Sequence, residues 1–137
     1  MAEKSTFAVL VHDRTNPIEP LKVLLKGQAV ETWSAKTCDE VARLLDQTQP
    51  ELVITDTRLQ DGTWVDVINL AEKAAVPTNV IVVGSHDDTK LYITAMQNGA
   101  FDFILPPFEV KSVAHVLRVA VDNVRHRREE LFLKAVS

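Results

Sequence analysis

Short apolar runs alternate along this sequence with longer segments whose apolar residues recur at helical spacing, and this alternation is the strongest constraint on the fold. Residues 7–11, 52–55 and 80–83 are dominated by Val, Ile, Leu and other apolar side chains. Such continuous runs are typical of strands that are buried on both faces of a sheet. Residues 29–34 and 102–105 are predicted as two further strands.

Each predicted strand is followed by a predicted helix, and local signals mark the helix ends. Thr37 and Glu40 have the spacing of a capping box, and Asn98-Gly99 is a typical left-handed helix stop. The last helix is predicted to begin near Val110 and to continue through charged helix-forming residues. The other helices are predicted at 17–26, from the Thr37 box to before Pro50, around Val65, Ile68, Leu70 and Ala71, and around Leu91, Ala95 and Met96 after a cap at 86–88.

Strands that alternate with helices imply a parallel sheet with helices on both faces, because each crossover connection is right-handed. The predicted fold is therefore an α/β, doubly wound, five-stranded parallel sheet with strand order 2-1-3-4-5. In this order, the ligand-binding crevice lies between the carboxyl ends of strands one and three. His12 and Asp13 follow strand one and Asp56 follows strand three, so these side chains are expected to converge there. Taken alone, Asp56 has an alternative role as a cap of the next helix.

The composition excludes several classes of protein. The 137 residues carry a net charge of −4, which disfavours direct nucleic-acid binding because phosphate contacts need clustered Lys and Arg. Cys38 is the only cysteine, which excludes an intrachain disulfide and favours a reducing compartment. The sequence shows no signal-like N-terminal pattern and no apolar stretch of membrane length. We therefore expect a cytoplasmic protein without membrane contact.

Several motifs occur together in one order and spacing. They are Asp13, the Asp56 block with Leu59-Gln60-Asp61-Gly62, the stretch Asn98-Gly99-Ala100-Phe101-Asp102-Phe103, and Pro107-Phe108. On these residues the chain, from Phe7 to about Arg128, resembles the receiver domain of two-component response regulators. The resemblance implies a flavodoxin-like receiver fold and one domain over residues 1–137, with a C-terminal helix extending from about 124 to 135. It also implies a cis bond in Pro106-Pro107, where the family turns with cis proline.

The resemblance assigns a role to each strand-end acid. Asp56 would accept a phosphoryl group from a phosphohistidine of a sensor histidine kinase or a phosphotransfer protein. Mg²⁺, or Mn²⁺, would be held by Asp13, Asp56 and the backbone carbonyl of Arg58. Hard oxygen ligands suit this metal, and the metal neutralises charge on a phosphoryl group in transfer. A carboxylate is also a competent nucleophile for this transfer.

Three positions depart from the family pattern. His12 stands where the family has a second acid, which removes one negative charge, so weak metal binding is expected. Gly84 stands where the family has Thr or Ser, with Ser85 one residue later. Pro106 replaces the family's Lys, and losing this charge-assisted contact to the phosphoryl group would cost roughly 1.5 to 3 kcal/mol. The family's switch aromatic corresponds to Phe103, for which the alternative role is core packing.

Neighbouring side chains could substitute for the missing contacts. Arg58, His86 and Lys90 are predicted on loops at this edge of the sheet, and Arg is well suited to phosphate. The alternative is that all three are solvated loop charges. The candidate accessory residues are His12, Gly84, Ser85 and His86.

Three functions remain open from the sequence. The first is a response-regulator receiver, not an enzyme, that accepts a phosphoryl group on Asp56 and signals to an output domain or partner protein through helix four, strand five and helix five. The second is a degenerate pseudo-receiver that acts as a phosphorylation-independent interaction module, which Gly84 and Pro106 favour. The third, a flavin or nucleotide binder, is disfavoured because no Gly-rich or Ser/Thr-rich phosphate loop follows strand one.

The last helix also contains a heptad-like seam that could pair two copies of the chain. The first half of the seam must serve the domain's own core, so only residues from Val124 onward are predicted to be free for pairing. We therefore expect a weak homodimer through helix five, with a solvated helix on a monomer as the alternative. The seam consists of Val113, Leu117, Ala120, Val124, Arg127 and Leu131.

Overall fold

The computed structural model describes residues 5–15, 17–85 and 89–136. A five-stranded parallel sheet forms its centre, and the strand order is β2-β1-β3-β4-β5. This architecture confirms the predicted fold class and strand order. The strands are β1 Thr6–Val11, β2 Val30–Ala35, β3 Leu52–Thr55, β4 Asn79–Val83 and β5 Asp102–Ile104.

Helices follow the strands in the predicted alternation. Gly99 has a φ of 103°, so the predicted left-handed stop of the fourth helix is confirmed. The cap predicted at 86–88 lies outside the described residues. None of the helices in the described ranges combines the length and apolar character needed to cross a membrane. The helices are α1 Ile18–Gly27, α2 Cys38–Thr48, α3 Trp64–Glu72, α4 Thr89–Gln97 and α5 Val110–Val136.

Alternate residues of the strands point to opposite faces of the sheet and build two cores. On one face, Val9, Val53 and Val82 pack with residues of α2, α3 and α4. On the other face, Leu10 and Ile54 pack with residues of α1 and α5. Because both faces are covered, β1 and β3 contain almost only buried apolar residues, which explains the continuous apolar runs in the sequence.

The register of the sheet aligns the carboxyl ends of its central strands. Val11 pairs with Thr55, and Thr55 pairs with Val82. His12 and Asp56, which follow β1 and β3, therefore lie side by side along one edge. Asp56 occupies the middle of this edge, between the loops after β1 and β4, as the crevice rule for doubly wound sheets predicts.

The structure also contains a short hairpin between β3 and α3 that the sequence pattern does not predict. Its antiparallel strands, Arg58–Leu59 and Gly62–Thr63, are joined by a turn that includes Asp61. The Asp61 carboxylate accepts a hydrogen bond from the N–H of Cys38 (2.7 Å) at the start of α2. The hairpin is therefore attached to α2 by a tertiary contact, which a local pattern does not reveal.

The capping box predicted for α2 is only half formed. Thr37 Oγ1 accepts from the Glu40 N–H (3.1 Å), but the Glu40 carboxylate accepts from the Lys36 N–H (3.3 Å) and not from that of Thr37. A reciprocal box occurs instead at α3, where the Thr63 N–H donates to the Asp66 carboxylate (2.9 Å). Both arrangements satisfy backbone donors at a helix start.

Helix α5 stays bonded to the body of the domain further along than its heptad pattern predicts. Val124 is fully buried, so the prediction that it is free to pair with a second copy is wrong. Arg125 Nε donates to the Glu51 carboxylate (2.7 Å), and Arg128 Nη2 donates to the Pro50 carbonyl (2.8 Å). Beyond these contacts, the exposed large apolar side chains are Leu131, Phe132, Leu133 and Val136.

Candidate functional site

Asp56 lies directly after β3 at the carboxyl edge of the sheet. Its backbone N–H donates to the Val11 carbonyl (2.9 Å), which continues the pairing of β3 with β1. Its side chain is 0% exposed, and Oδ1 accepts a hydrogen bond from the Thr57 N–H (2.7 Å). The cap of the next helix is formed by Thr63 and Asp66. The Asp56 carboxylate is therefore held at the crevice and not in a helix cap.

A guanidinium group covers the Asp56 carboxylate. Arg14 Nε donates to Asp56 Oδ2 (2.7 Å), and Arg14 Nη2 donates to Asp56 Oδ1 (2.9 Å). This bidentate pair is among the strongest hydrogen-bonding arrangements in proteins. The hydrogen bond to Asp56 is the main cause of a raised Arg14 pKa; burial opposes it, and the charges of Asp56 and Asp13 reinforce it.

No sequence motif predicts the Arg14–Asp56 pair, because the two residues are 42 positions apart. The available signal was topological. Arg14 follows Asp13 in the loop after β1, and this loop meets the end of β3 at the crevice. A cation on this loop was therefore a candidate partner for Asp56.

His12 fixes the loop that carries Arg14. Its ring is buried, and Nδ1 lies 2.9 Å from the Arg14 carbonyl oxygen. Because a carbonyl can only accept, Nδ1 carries the proton and donates this hydrogen bond. The other ring nitrogen, Nε2, lies 3.9 Å from Glu19 Oε2 and has no hydrogen-bond partner among the described residues. His12 therefore positions the backbone of Arg14.

The expected metal ligands are suitable in kind, but Asp56 is already engaged by another group. Asp13 is exposed on the loop after β1, and Arg58 begins the hairpin after β3. Carboxylate and carbonyl oxygens fit Mg²⁺. Both oxygens of Asp56, however, are bonded to Arg14, and the described ranges contain no metal-like group of three or more His, Cys, Asp or Glu side chains. Metal binding therefore requires Arg14 to release or share the carboxylate.

Phe103 fills the space beside Gly84. A Cβ at Gly84 would lie 2.5 Å from Phe103 Cζ and 2.9 Å from Leu105 Cδ2. The Phe103 ring is 7% exposed and makes an edge contact with Tyr92, with ring centroids 5.9 Å apart. The aromatic ring therefore points inward and occupies volume that a Thr or Ser side chain at position 84 would need.

Pro106 presents an apolar surface at the end of β5. The Pro106–Pro107 peptide bond is cis, as predicted. Pro106 contributes to an open cleft of ≈ 400 Å³ whose lining residues, in the described part of the chain, all have apolar side chains and include Pro17, Leu24 and Phe108. Pro106 itself therefore supplies no cation to Asp56.

The other candidate accessory residues do not join the Asp56 cluster. Arg58, Ser85 and Lys90 have exposed side chains. No hydrogen bond or ion pair joins any of them to Asp56 within the described residues, whereas Arg14 makes both kinds of contact. His86 lies outside the residues that the structure describes.

Asp61 and Cys38 form a separate contact at the start of α2. The backbone N–H of Cys38 is the main cause of a lowered Asp61 pKa. Burial is the main cause that raises the pKa of the Cys38 thiol to about 11, and the Asp61 charge acts in the same direction. The thiol therefore remains protonated at neutral pH, which argues against a nucleophilic role.

The model of the response regulator receiver domain family matches residues 8–118 of this sequence. The chain belongs to this receiver family. The matched range contains Asp56 and Arg14 together with the departures His12, Gly84 and Pro106.

The receiver is also similar to parts of longer regulators. It is 27% identical over 114 residues to the response regulator protein PilR of Pseudomonas aeruginosa, a match that covers 83% of this chain and 26% of PilR. It is 24% identical over 103 residues to the DNA-binding transcriptional regulator NtrC of Proteus hauseri, covering 72% of this chain and 22% of NtrC. The chain thus spans about a quarter of these curated relatives.

Solved structures of receivers share the fold. The crystal structure of NtrX from Brucella abortus in complex with ATP has a TM-score of 0.82 and 22% identity, covering 95% of this chain and 30% of NtrX. A receiver domain protein from Clostridium thermocellum has a TM-score of 0.71 and 23% identity, covering 92% of this chain and 98% of that protein. At these identities the likeness concerns the fold alone.

Proposed function

We propose that this receiver accepts a phosphoryl group on Asp56 from a sensor histidine kinase or a phosphotransfer protein. The supporting observation is the geometry of the Asp56 carboxylate at the ligand-binding edge. From the described residues, Oδ1 accepts hydrogen bonds from Thr57 and Arg14, and Oδ2 accepts one from Arg14. A carboxylate oxygen can accept about two hydrogen bonds, so Oδ2 retains a lone pair that can attack phosphorus once Arg14 withdraws from this buried carboxylate.

The proposed transfer exchanges one bond at phosphorus for another. Asp56 Oδ2 attacks the phosphorus atom of the phosphohistidine, so a P–O bond forms as the P–N bond breaks. The leaving imidazole nitrogen keeps the electron pair and takes a proton from solvent. The product is an acyl phosphate, in which the negative charge lies on the phosphoryl oxygens. The Thr57 N–H on Oδ1 holds the carboxyl group in orientation during this exchange.

Asp13, Asp56 and the backbone carbonyl of Arg58 are the proposed ligands of Mg²⁺ or Mn²⁺. When bound, the metal supplies positive charge that offsets the charge of the phosphoryl oxygens. Two features weaken its binding. His12 removes one negative charge from the site, and Arg14 competes for both oxygens of Asp56.

The substitution Asp56→Asn is expected to abolish phosphoryl acceptance, because an amide oxygen is a poor nucleophile. Incubation with acetyl phosphate and Mg²⁺, followed by intact mass measurement, should show slow gain of one phosphoryl group in the unmodified protein and none in the variant. The matched control is Asp61→Asn, since Asp61 belongs to the same motif but bonds to α2. Equal gain in the Asp56 and Asp61 variants would contradict the proposal.

A phosphorylation-independent interaction module is the second candidate, and the packing of Phe103 favours it. The ring is already inward beside Gly84, so the aromatic position is set without a phosphoryl group. Tyr92 links this ring to α4, whose exposed apolar residues include Ile93 and Met96. We propose the face of α4, β5 and α5 as the contact surface for an output domain or partner protein. Amide shifts there that change on adding beryllofluoride, a phosphoryl mimic, support the switching receiver; unchanged shifts favour the module.

We propose that residues 1–137 form one domain whose last helix mediates weak pairing of two copies. With Val124 buried, the proposed contacts are drawn from the exposed apolar side chains beyond Arg128, with Leu131 on the seam and the adjacent Phe132, which is 65% exposed, as the first candidates. Two such side chains contribute roughly 1.5 to 3 kcal/mol each, which is small against the entropic cost of association. Sedimentation is expected to show a weak dimer that is lost on truncation after Arg128. A dimer that survives this truncation would place the interface elsewhere.

A further inference from the structure

We propose that Arg14 is the phosphoryl-binding cation of this receiver and takes over the task of the Lys that Pro106 replaces. The inference rests on the proposed acceptor function of Asp56. It assigns to a loop after β1 a contact that the resemblance places after β5. Three features of the described structure support it: the geometry of the guanidinium, its freedom to move, and the position of its backbone.

The geometry of the guanidinium suits a phosphoryl group. Arg14 presents Nε and Nη2 in parallel to the two oxygens of Asp56, at 2.7 and 2.9 Å. The same planar fork matches two oxygens of a phosphoryl group. Transfer to Oδ2 moves negative charge from the carboxyl group to the phosphoryl oxygens. After transfer, the guanidinium group therefore binds the phosphoryl oxygens in preference to the carboxyl group.

The side chain of Arg14 has room to move from the carboxylate toward the phosphoryl oxygens. It is 51% exposed, whereas the carboxylate that it covers is 0% exposed. A guanidinium that reaches the acid from solvent can withdraw by the length of a phosphoryl group without disturbing the core. It can also yield one carboxylate oxygen to a metal while it stays near the site.

The backbone of Arg14 is fixed where the contact needs it. The Nδ1–H of buried His12 holds the Arg14 carbonyl at 2.9 Å, so the side chain starts from a defined point at the carboxyl edge. Arg58 and Lys90 have exposed side chains and no ion pair with Asp56 in the described ranges. His12 is therefore a positioning residue for Arg14. This contact gives a physical reason for a histidine at the position where the resemblance places a second acid.

The test measures binding of beryllofluoride, in the presence of saturating Mg²⁺, by fluorine NMR. Arg14→Gln is expected to raise the dissociation constant about ten- to a hundredfold, the loss typical of a charge-assisted contact to an anion. Arg43→Gln is the matched control, because it removes the same charge from an exposed position on α2; its affinity should stay within about twofold. Arg14→Lys keeps the charge but lacks the planar guanidinium group, so its dissociation constant should lie between those of the unmodified protein and Arg14→Gln.

A second measurement separates this role from a merely structural one. For Mg²⁺ alone, Arg14→Gln should bind more tightly than the unmodified protein, because a competing cation has left Asp56. In Arg14→Gln, tighter binding of Mg²⁺ together with weaker binding of beryllofluoride therefore supports the proposal. Weaker binding of both contradicts it. If Arg14→Gln does not fold, Arg14→Lys carries the test, and unchanged beryllofluoride affinity in that variant contradicts the proposal.

The failure of this inference differs from the failure of the acceptor function. If the unmodified protein binds beryllofluoride and Arg14→Gln binds it equally well or better, Arg14 is not the phosphoryl-binding cation, but Asp56 remains the acceptor site. If the unmodified protein binds none at any Mg²⁺ concentration, the acceptor proposal fails and this inference fails with it.

Discussion

Replacing Gly84 by Thr, the type of residue that the family carries there, is expected to lower the free energy of unfolding by about 1 to 3 kcal/mol. A Cβ at this position would lie 2.5 Å from Phe103 Cζ and 2.9 Å from Leu105 Cδ2. Both distances are far inside van der Waals contact, and the Phe103 ring is packed against Tyr92. The core must therefore rearrange to accept the new side chain. Urea unfolding followed by circular dichroism would measure the loss.

Two further variants make the Gly84 result specific. Gly27→Thr adds the same atoms at a helix end where a Cβ would meet nothing within 4 Å, so its stability should change by no more than about 0.5 kcal/mol. Combining Gly84→Thr with Phe103→Leu removes the ring that causes the conflict. The double variant should therefore lose less free energy of unfolding than the sum of the losses of the two single variants. Strict additivity would show that Phe103 is not the source of the conflict.

Glu51→Ala is expected to lower the free energy of unfolding by about 2 to 3 kcal/mol, because it removes the acceptor of the Phe7 N–H and the carboxylate that pairs with Arg125. Oε1 of Glu51 accepts from the Phe7 N–H (3.0 Å), and Oε2 accepts from Arg125 Nε (2.7 Å). The Glu51 side chain is mostly buried, but Arg125 is partly exposed, so solvent screening limits the loss of the ion pair. Thermal unfolding would measure the change.

Controls for Glu51 separate its two contacts. Glu51→Gln keeps an acceptor for the Phe7 N–H but removes the charge opposite Arg125, so its loss should be smaller than that of Glu51→Ala. Glu31→Ala removes the same group from an exposed position on β2 and should cost no more than about 0.5 kcal/mol. A Glu51→Ala loss as small as this would show that the Glu51 contacts contribute little to holding α5 on the domain.

The order of strands and helices was predictable from the sequence because both faces of the sheet are covered. Burial on both sides makes β1, β3 and β4 continuous apolar runs, and such runs can be recognised without knowledge of their neighbours. The buried face of α3 was harder to predict. Val67 is buried and Val65 and Leu70 are only half-buried, although the helix was predicted from Val65 and Leu70 and not from Val67. Where apolar residues crowd a short helix, the packing partners decide which of them face inward.

The candidate site was predictable only to the extent that topology determines it. Strand ends meet at a crevice in any doubly wound sheet, so the place of Asp56 followed from strand order. The partner of Asp56 did not follow, because the pairing with Arg14 depends on the path of one side chain across 42 residues of separation. The absence of a hydroxyl group at Gly84 could be read from the sequence. That Phe103 occupies the space beside Gly84 could not, because it depends on how the side chains pack in three dimensions.

The hydrogen bonds of Arg128 have a mechanical consequence. This side chain bonds α5 to the carbonyls of Pro50 and Pro77, at the amino edge of the sheet, so Arg128 forms a support for the helix and the segment after it extends onward as an arm. From Arg128 to Val136 the arm is about 12 Å long, at about 1.5 Å per residue. Each degree of tilt at the support displaces the tip by about 0.2 Å, given this length. Small angular changes in the body of the receiver, too slight to break a hydrogen bond, are thereby converted into larger displacements at the end of the helix.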